Sequence, residues 1–332
     1  MAAQTSIPML HGTAIGMVMN LLDEAGVPLA AGLRAARLPS RLLDDSTIYV
    51  PFKAACDWVY REQQTLGIAN LTLRAAAQAG SGNLPAGIRA QLVRQPTLYR
   101  ALHAWRDLIR RESSHVSINI EEDVDCCRLL FSSTFDQQLP GQAEWIWFAI
   151  VLHTSVVQLF LGKDWQPDEI TIPVYGPDRS TGEALWTQSD FKRNSQITGI
   201  SIPRALLGRA PISTTTRNAD PFPEPPDDLI SSLDTLIISY LGDGAPSLDL
   251  AAEFAGESKR TLQRRLAASQ LTYAEIVQKI RFREARQYLL QPDIPIGEIA
   301  RRLGYQHVPH FSRAFRRMAG ISPSDYRTTL HA

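Results

Sequence analysis

Between Ser247 and Gly320 one arrangement of residues occurs twice, and it leaves that part of the chain little choice of fold. The first copy is SLDLAAEFAGESKRTLQRRLAASQ, 247–270, and the second is PIGEIARRLGYQHVPHFSRAFRRMAG, 295–320. In the first, Leu250, Ala251 and Phe254 give a short helix its buried side. Gly256 follows, where a tight turn benefits from a residue without a Cβ. Ser258 is placed to cap the next helix by accepting a hydrogen bond from a free backbone N–H. Leu262 and Leu266, four apart, face inward on that helix, so Arg260, Gln263, Arg264 and Ala267 share its outer face. A short helix, a turn and a capped helix form a helix-turn-helix.

The second copy repeats this logic. Ile296, Ile299, Ala300 and Leu303 bury one side, Gly304 makes the turn, and Phe311, Phe315 and Met318 form the inward stripe of the last helix. Arg313, Arg316 and Arg317 are left outward, with His310 near the start. Ile321 to Arg327 reads as a closing turn in which Tyr326 packs back. Between the copies, TYAEIVQKIRFREARQYLL (272–290) opens on a Thr272-x-x-Glu275 capping box. It places Ile276, Ile280, Ala285, Tyr288 and Leu289 inward, and Pro292 ends it. About 18 residues at ~1.5 Å each give a strut of roughly 27 Å. One turn of duplex DNA is about 34 Å, so the strut can set two helices on one side of a duplex.

The outward residues have groove-reading chemistry. Arginine pairs bidentately with guanine edges and glutamine with adenine, which fits Arg260, Gln263 and Arg264. Lys259, Arg265, Arg316 and Arg317 are better placed for phosphates. The bland alternative is a solvated basic face on ordinary helices. Charge favours the first reading. Residues 244–332 carry 14 Lys and Arg against 8 Asp and Glu, net +6, and residues 1–243 carry net −6, within a chain of net charge zero. A basic end on an acidic body suits a nucleic-acid module attached to a controlling part.

A length of 332 residues and 44% apolar content suggest two domains with real cores. Residues 7–110 read mainly as helices: Thr13–Ala25, Leu29–Leu38, Phe52–Leu66, Leu71–Ala79 and Thr97–Arg111. GSGN at 80–83 reads as a plain turn. The period then changes. Val116, Ile118 and Ile120 alternate with polar residues, and EEDVD at 121–125 turns into an apolar strand over 128–135, a hairpin. Gln142–Leu161 returns to helix, with Trp145, Phe148, Leu152, Val156 and Leu159 on one stripe, and 169–174 and 195–202 look like further strands. The expected fold is an α+β N-terminal domain, helices plus an antiparallel sheet, over 1–209. A Pro-rich linker follows at 210–227, and then an all-α domain at 228–332 with two tandem helix-turn-helix units.

Three cysteines, two of them adjacent at Cys126 and Cys127 and none in a CxxC pair, argue against a disulfide framework or a structural zinc site. They suit a reducing cytoplasm. The first residues lack the basic and apolar regions of a secretory signal, and no window of 18 uncharged apolar residues predicts a membrane span.

The C-terminal stretch resembles the AraC/XylS family of bacterial transcription regulators. The residues that carry the resemblance are SKRTLQRRL at 258–266, RFREARQYLL at 281–290, IGEIARRLGY at 296–305, HFSRAFRRMAG at 310–320 and SPSDYR at 322–327. It implies seven helices, with two recognition helices in adjacent major grooves of double-stranded operator DNA. By position, Arg260, Gln263 and Arg264 match the base-reading face of the first recognition helix. Val308, Pro309, Ser312 and Arg313 match that of the second. Pro309 stands where a capping Ser is common and offers no donor, and Val308 is apolar. The first unit is therefore expected to supply more hydrogen-bond readout, and the second phosphate and thymine-methyl contacts.

The N-terminal half is similar to the arabinose-binding-like domain of longer regulators of this family, the ornithine-utilisation type. This rests on 71–109, the hairpin after it and the pattern from Phe191 to Pro203. Its helix-first order departs from a β-barrel sugar pocket. The resemblance implies control by a small-molecule effector or by dimerisation, with RNA polymerase and a second copy of the chain as further partners. The alternative is a ligand-independent regulator whose N-terminal domain makes protein–protein contacts alone. Trp105, Trp145, Trp147 and Phe148 suit an effector pocket, a core or a dimer seam; Trp147 and His153, off the main stripe, are the candidate effector residues.

An enzyme is not indicated. There is no GxxxxGK[ST] loop and no GxGxxG after a strand. His307 and His310 lack a cluster of further ligands, so neither metal nor cofactor is expected.

Overall fold

The computed structural model describes residues 6–133, 139–173, 179–194, 197–213 and 226–331. They fall into two compact units, and neither is one continuous stretch. One joins Pro8–Leu38 with the described residues from Phe52 to 213; the other joins Ile7, Pro39–Pro51 and residues 226–331. Residues 214–225 of the expected linker lie outside the described residues, as do Phe135, Val174, Ser195 and Gln196 at the edges of expected strands.

After a short strand, Met9–His11, the first unit runs α1 (Gly12–Glu24), α2 (Leu29–Ala35), α3 (Phe52–Leu66), α4 (Leu71–Ala79), α5 (Ala86–Val93) and α6 (Leu98–Glu112). β1 (Val116–Glu122), β2 (Cys126–Ser133), α7 (Gln142–Leu161), β3 (Glu169–Pro173), α8 (Arg179–Leu185), β4 (Asp190–Asn194) and β5 (Thr198–Pro203) follow. The class is the α+β expected. GSGN forms a single 3₁₀ turn.

The five strands lie in the order β1-β2-β5-β3-β4. Ile118 pairs with Phe131 and Leu129 with Ile200 in antiparallel register. The sheet departs from a purely antiparallel one at its edge, where β3 and β4 run parallel. A parallel pair needs a crossover connection, and α8 lies in it. The short β4, DFKRN, has no apolar alternation to announce it. Polar, charged residues are what an edge strand carries to discourage further pairing.

α7 differs from the expected one-sided stripe. Trp147, Ile150, His153, Thr154 and Val157 are buried along with Trp145, Phe148, Leu152 and Val156. Leu159 is only half-buried. A helix buried all round belongs in a core. α7 is also long and apolar enough to cross a membrane by length and composition, and 67% of its most apolar window is buried inside the protein. Trp147 stacks on Trp186 at 5.7 Å and meets Phe191 edge-on at 6.3 Å. Gly182 of α8 is what permits this, since a Cβ there would stand 2.2 Å from the Trp147 ring.

The second unit holds the strand Tyr49–Pro51 and seven helices among the described residues. These are α9 (Leu229–Tyr240), α10 (Leu248–Phe254), α11 (Lys259–Ala268), α12 (Tyr273–Leu289), α13 (Ile296–Arg302), α14 (Val308–Ala319) and α15 (Pro323–His331). SPSDYR, expected as a closing turn, starts α15 instead. Ser322 Oγ accepts from the Asp325 N–H at 3.2 Å, and Pro323 occupies the first helical position, where its fixed φ and missing N–H are harmless. The segment 39–51 is tied to α9 and the turn after it. Ser239 Oγ donates to the Tyr49 carbonyl at 2.7 Å, and Asp243 accepts from the Ser40 N–H at 2.7 Å.

Buried ionisable groups set the pH response of the first unit. Glu112, wholly buried at the end of α6, has neither carboxyl oxygen hydrogen-bonded among the described residues. Burial pushes its pKa up to about 8. Burial also holds the His115 and His153 imidazoles down at about 4. Between the ordinary glutamate value and about 8 the folded protein holds the Glu112 proton that the unfolded chain releases, so stability falls as pH rises. The histidines act oppositely: their stability is present above about 6.5 and is lost as pH falls toward about 4. Above pH 6.5 Glu112 alone of the three acts. Glu112→Gln is predicted to abolish the loss of Tm between pH 6.5 and 8 in circular-dichroism melts of the full chain. The acid-side loss should remain.

Candidate nucleic-acid interface

Both helix-turn-helix units form as the residue pattern requires. α10 is capped by Ser247, whose side chain accepts from the Leu250 N–H, and α11 by Ser258, which accepts from Thr261. Ala251, Phe254, Leu262 and Leu266 are buried, and Gly256 turns between the helices at φ +66°. In the second unit Ile299, Ala300, Leu303, Phe311 and Phe315 are buried. Met318, expected on that stripe, is 42% exposed. The helical period keeps it on the face of Phe311, but it lies one residue from the end of α14.

α12 joins the two units. Its capping box is present in both directions, Thr272 to the Glu275 N–H and Glu275 to the Thr272 N–H. Its 17 residues make a strut of about 26 Å. Arg283 holds Asp234 of α9 through two bonds, 3.0 and 2.8 Å. Phe282 meets Phe315 of α14 at 5.2 Å, Phe315 meets Tyr326 of α15 edge-on at 5.3 Å, and Arg286 donates to the Tyr326 hydroxyl at 2.9 Å. The Arg281 guanidinium lies 4.8 Å above the Tyr305 ring, at the second turn. Tyr326 therefore packs back as the sequence suggested.

The expected site residues share one property, solvent access. Lys259, Arg260, Gln263 and Arg264 of α11 are exposed, as are Val308, Pro309, His310, Arg313, Arg316 and Arg317 of α14; Ser312 is half-buried. Their electrostatic state divides them. Among the described residues Arg260, Arg264, Arg313, Arg316 and Arg317 form no salt bridge, so their charge is open to an anionic partner. Lys259 is bonded to Asp249 at 2.8 Å, an exposed pair of small worth. Arg265 is paired with Glu257 in a more enclosed position, their side chains 25% and 14% exposed. That pair ties the turn to α11, and residues eight apart gave no sign of it in the sequence.

The start of α14 differs from the expected alignment. The cap residue is His307, without a side-chain cap bond, and Pro309 sits inside the first turn. Proline belongs there because the first N–H groups of a helix have no intrahelical partner. The His307 and His310 rings meet edge-on at 5.6 Å, and no cluster of metal-binding residues occurs among the described residues. Cys126 and Cys127 have thiols raised by burial, Cys127 to about 11, opposite to what a reactive thiolate needs.

Two exposed, arginine-bearing helices, each second in a helix-turn-helix and joined by one strut, define a DNA-binding module. Residues 251–329 match the family described as a helix-turn-helix domain. The C-terminal region is a helix-turn-helix domain, the kind found in DNA-binding transcription regulators.

The chain is 26% identical over 250 residues to the HTH-type transcriptional regulator VqsM of Pseudomonas aeruginosa, 70% of this chain and 75% of that protein. It is 38% identical over 101 residues to the ornithine utilization regulator of the same organism, 30% of each chain. The solved structure of the transcriptional regulator CdpR, also from Pseudomonas aeruginosa, aligns over 91% of this chain and 96% of that one, at 23% identity and a TM-score of 0.37.

Gly304 marks where the second turn is least tolerant. It has φ +74°, and a Cβ there would stand 2.3 Å from the Leu241 carbonyl oxygen. Gly320, after α14, has φ +81° with open space around it. Gly320→Ala is predicted to destabilise by about 1–2 kcal/mol, the left-handed penalty alone. Gly304→Ala should cost more, since backbone must also shift. Chemical denaturation of the two variants checks the order.

Proposed function

We propose that this DNA-binding transcription regulator sets α11 and α14 in adjacent major grooves of one duplex, with α12 fixing their separation. The observation that carries the reading is the pair of exposed, unpaired arginine faces on the two recognition helices. In this reading Arg260, Gln263 and Arg264 contact base edges from α11, with Val308, Pro309, Ser312 and Arg313 their counterparts on α14. Arg316 and Arg317 contact phosphate. Lys259 and Arg265 do so after exchanging their carboxylate partners for phosphate oxygens. The first turns of both helices add free N–H groups and the positive end of the helix dipole.

The region 1–209, joined through 210–227 to the reading region 228–332, controls when DNA is used, by a small-molecule effector or by dimerisation. RNA polymerase is the partner at a promoter. The effector reading is supported by His153, which lines a cavity in the first unit. Trp147, the other candidate, is packed against Trp186, Phe191 and Gly182.

A duplex selected in vitro from random sequence by the full chain provides the test. Arg264→Ala should lower affinity by roughly 5- to 150-fold, the worth of one bidentate base contact, and relax preference at one position. Arg316→Ala should weaken all sequences alike and reduce the salt dependence of binding. If Arg313→Ala relaxed sequence preference more than Arg264→Ala, the division of labour would be overturned; if no duplex were enriched, so would the function.

A further inference from the structure

The first unit holds a partly open cavity of about 90 Å³ between α6, α7, β2 and the short strand at Met9–His11. Phe52, Phe131, Trp145, Phe148 and Leu152 line it, beside polar side chains that include His115 and Gln142. None of its lining residues is Lys, Arg, Asp or Glu. Among the polar atoms of the wall, Trp145 Nε1 and His153 Nε2 are buried and have no hydrogen-bond partner among the described residues. Trp145 is 6% exposed and His153 is fully buried.

The geometry fixes what each group wants. His153 Nδ1 lies 2.5 Å from the Ala149 carbonyl oxygen. A carbonyl can only accept, so Nδ1 carries the proton, and a neutral imidazole then leaves Nε2 as a bare acceptor. The ring is neutral at physiological pH, because burial holds its pKa at about 4. It is also fixed in place, stacked on Phe131 at 4.0 Å and edge-on to Trp105 at 5.7 Å. The Trp145 indole N–H can only donate. Phe52 at 6.2 Å and Phe148 at 5.3 Å hold its ring. Those two atoms, His153 Nε2 and Trp145 Nε1, ask an occupant for one donor and one acceptor, and the apolar part of the wall receives a tail. The cavity offers no countercharge, so an ionised group would lose its hydration uncompensated.

We infer that this cavity is the effector site and that it takes a small uncharged amphiphile, an alcohol or primary amide with an apolar tail of about four to six carbons. The hydroxyl or amide N–H donates to His153 Nε2, and the head-group oxygen accepts from Trp145 Nε1. An apolar cavity of about 150 Å³ holds benzene; this one, at about 90 Å³, is smaller but partly open, so it takes a butyl chain or part of one flat ring. The inference rests on the reading that the first unit senses a small molecule.

The test uses the full chain at pH 7.5 with butanamide, 1-butanol and phenol as probes, toluene as a headless control and butyrate as a charged one. Binding is read by Tm shift and by the indole N–H resonance of Trp145, assigned with Trp145→Phe. Butanamide or one of the hydroxyl probes should raise Tm saturably and move the Trp145 resonance. Toluene and butyrate should bind at least 10-fold more weakly. Trp145→Phe and His153→Leu should each weaken the headed probes about 10-fold, while toluene binding stays within a factor of about two.

No binding by any of the three headed probes overturns the inference, as does toluene or butyrate binding as tightly as butanamide. Fluorescence anisotropy on the selected duplex, run without probes, keeps the two questions apart. Intact DNA binding with no probe binding removes this effector class and leaves the regulator. Loss of specific DNA binding removes the regulator whatever the probes do.

Discussion

The packing of α12 is the constraint on which the DNA-binding unit depends. One helix is anchored to α9 through the Arg283–Asp234 fork, to α14 through Phe282 and to α15 through Arg286 and Tyr326. Ile276, Val277, Ile280, Ala285 and Leu289 are buried along its length. A short helix-turn-helix buries little apolar surface of its own, and burial supplies most of a small domain's stability. Sharing one strut gives both units a common core. The same sharing makes their separation a property of helix geometry, since a hydrogen-bonded helix does not stretch. The Gly304 turn, set against the Leu241 carbonyl, fixes the second unit at its other end.

The two reading helices are not equivalent. α11 starts on a capped serine and presents Arg, Gln and Arg on one exposed face. α14 starts on His307 without a side-chain cap, spends its first turn on Val308 and Pro309, and carries its cations later. Proline removes a donor at the end of the helix where free N–H groups would meet phosphate, and valine offers apolar contact alone. The arginines begin in the first turn of α11 and only beyond it in α14.

Much of this was legible in the residues. Phe52–Leu66 and Gln142–Leu161 are found with the bounds their periodicity gives, and the caps at Ser258 and Thr272 form as spaced. Strong local signals survive because packing has no reason to override them. What was lost depended on tertiary context. β4 is a polar edge strand whose partner determines it. Burial on every side of α7 follows from α4, α6 and the sheet meeting around it. α15 was hidden because a Ser-Pro pair reads equally as a turn or a helix start. The Arg265–Glu257 pair spans eight residues and forms across a turn. The roles of Trp147 and His153 separated for the same reason. Both lie off the expected stripe of α7, yet one is clamped over a glycine and the other borders a cavity.

The central claim is that a single chain carries two recognition helices at a spacing matched to one turn of DNA. Hydroxyl-radical footprinting of the full chain, at concentrations where it is monomeric, on a duplex selected from random sequence measures this directly. The account predicts two protected patches on one face of the duplex, about 10 base pairs apart. Inserting 5 base pairs between them, which turns the second site to the opposite face, should abolish the second patch. A single patch, or two patches that both survive that insertion, would contradict it.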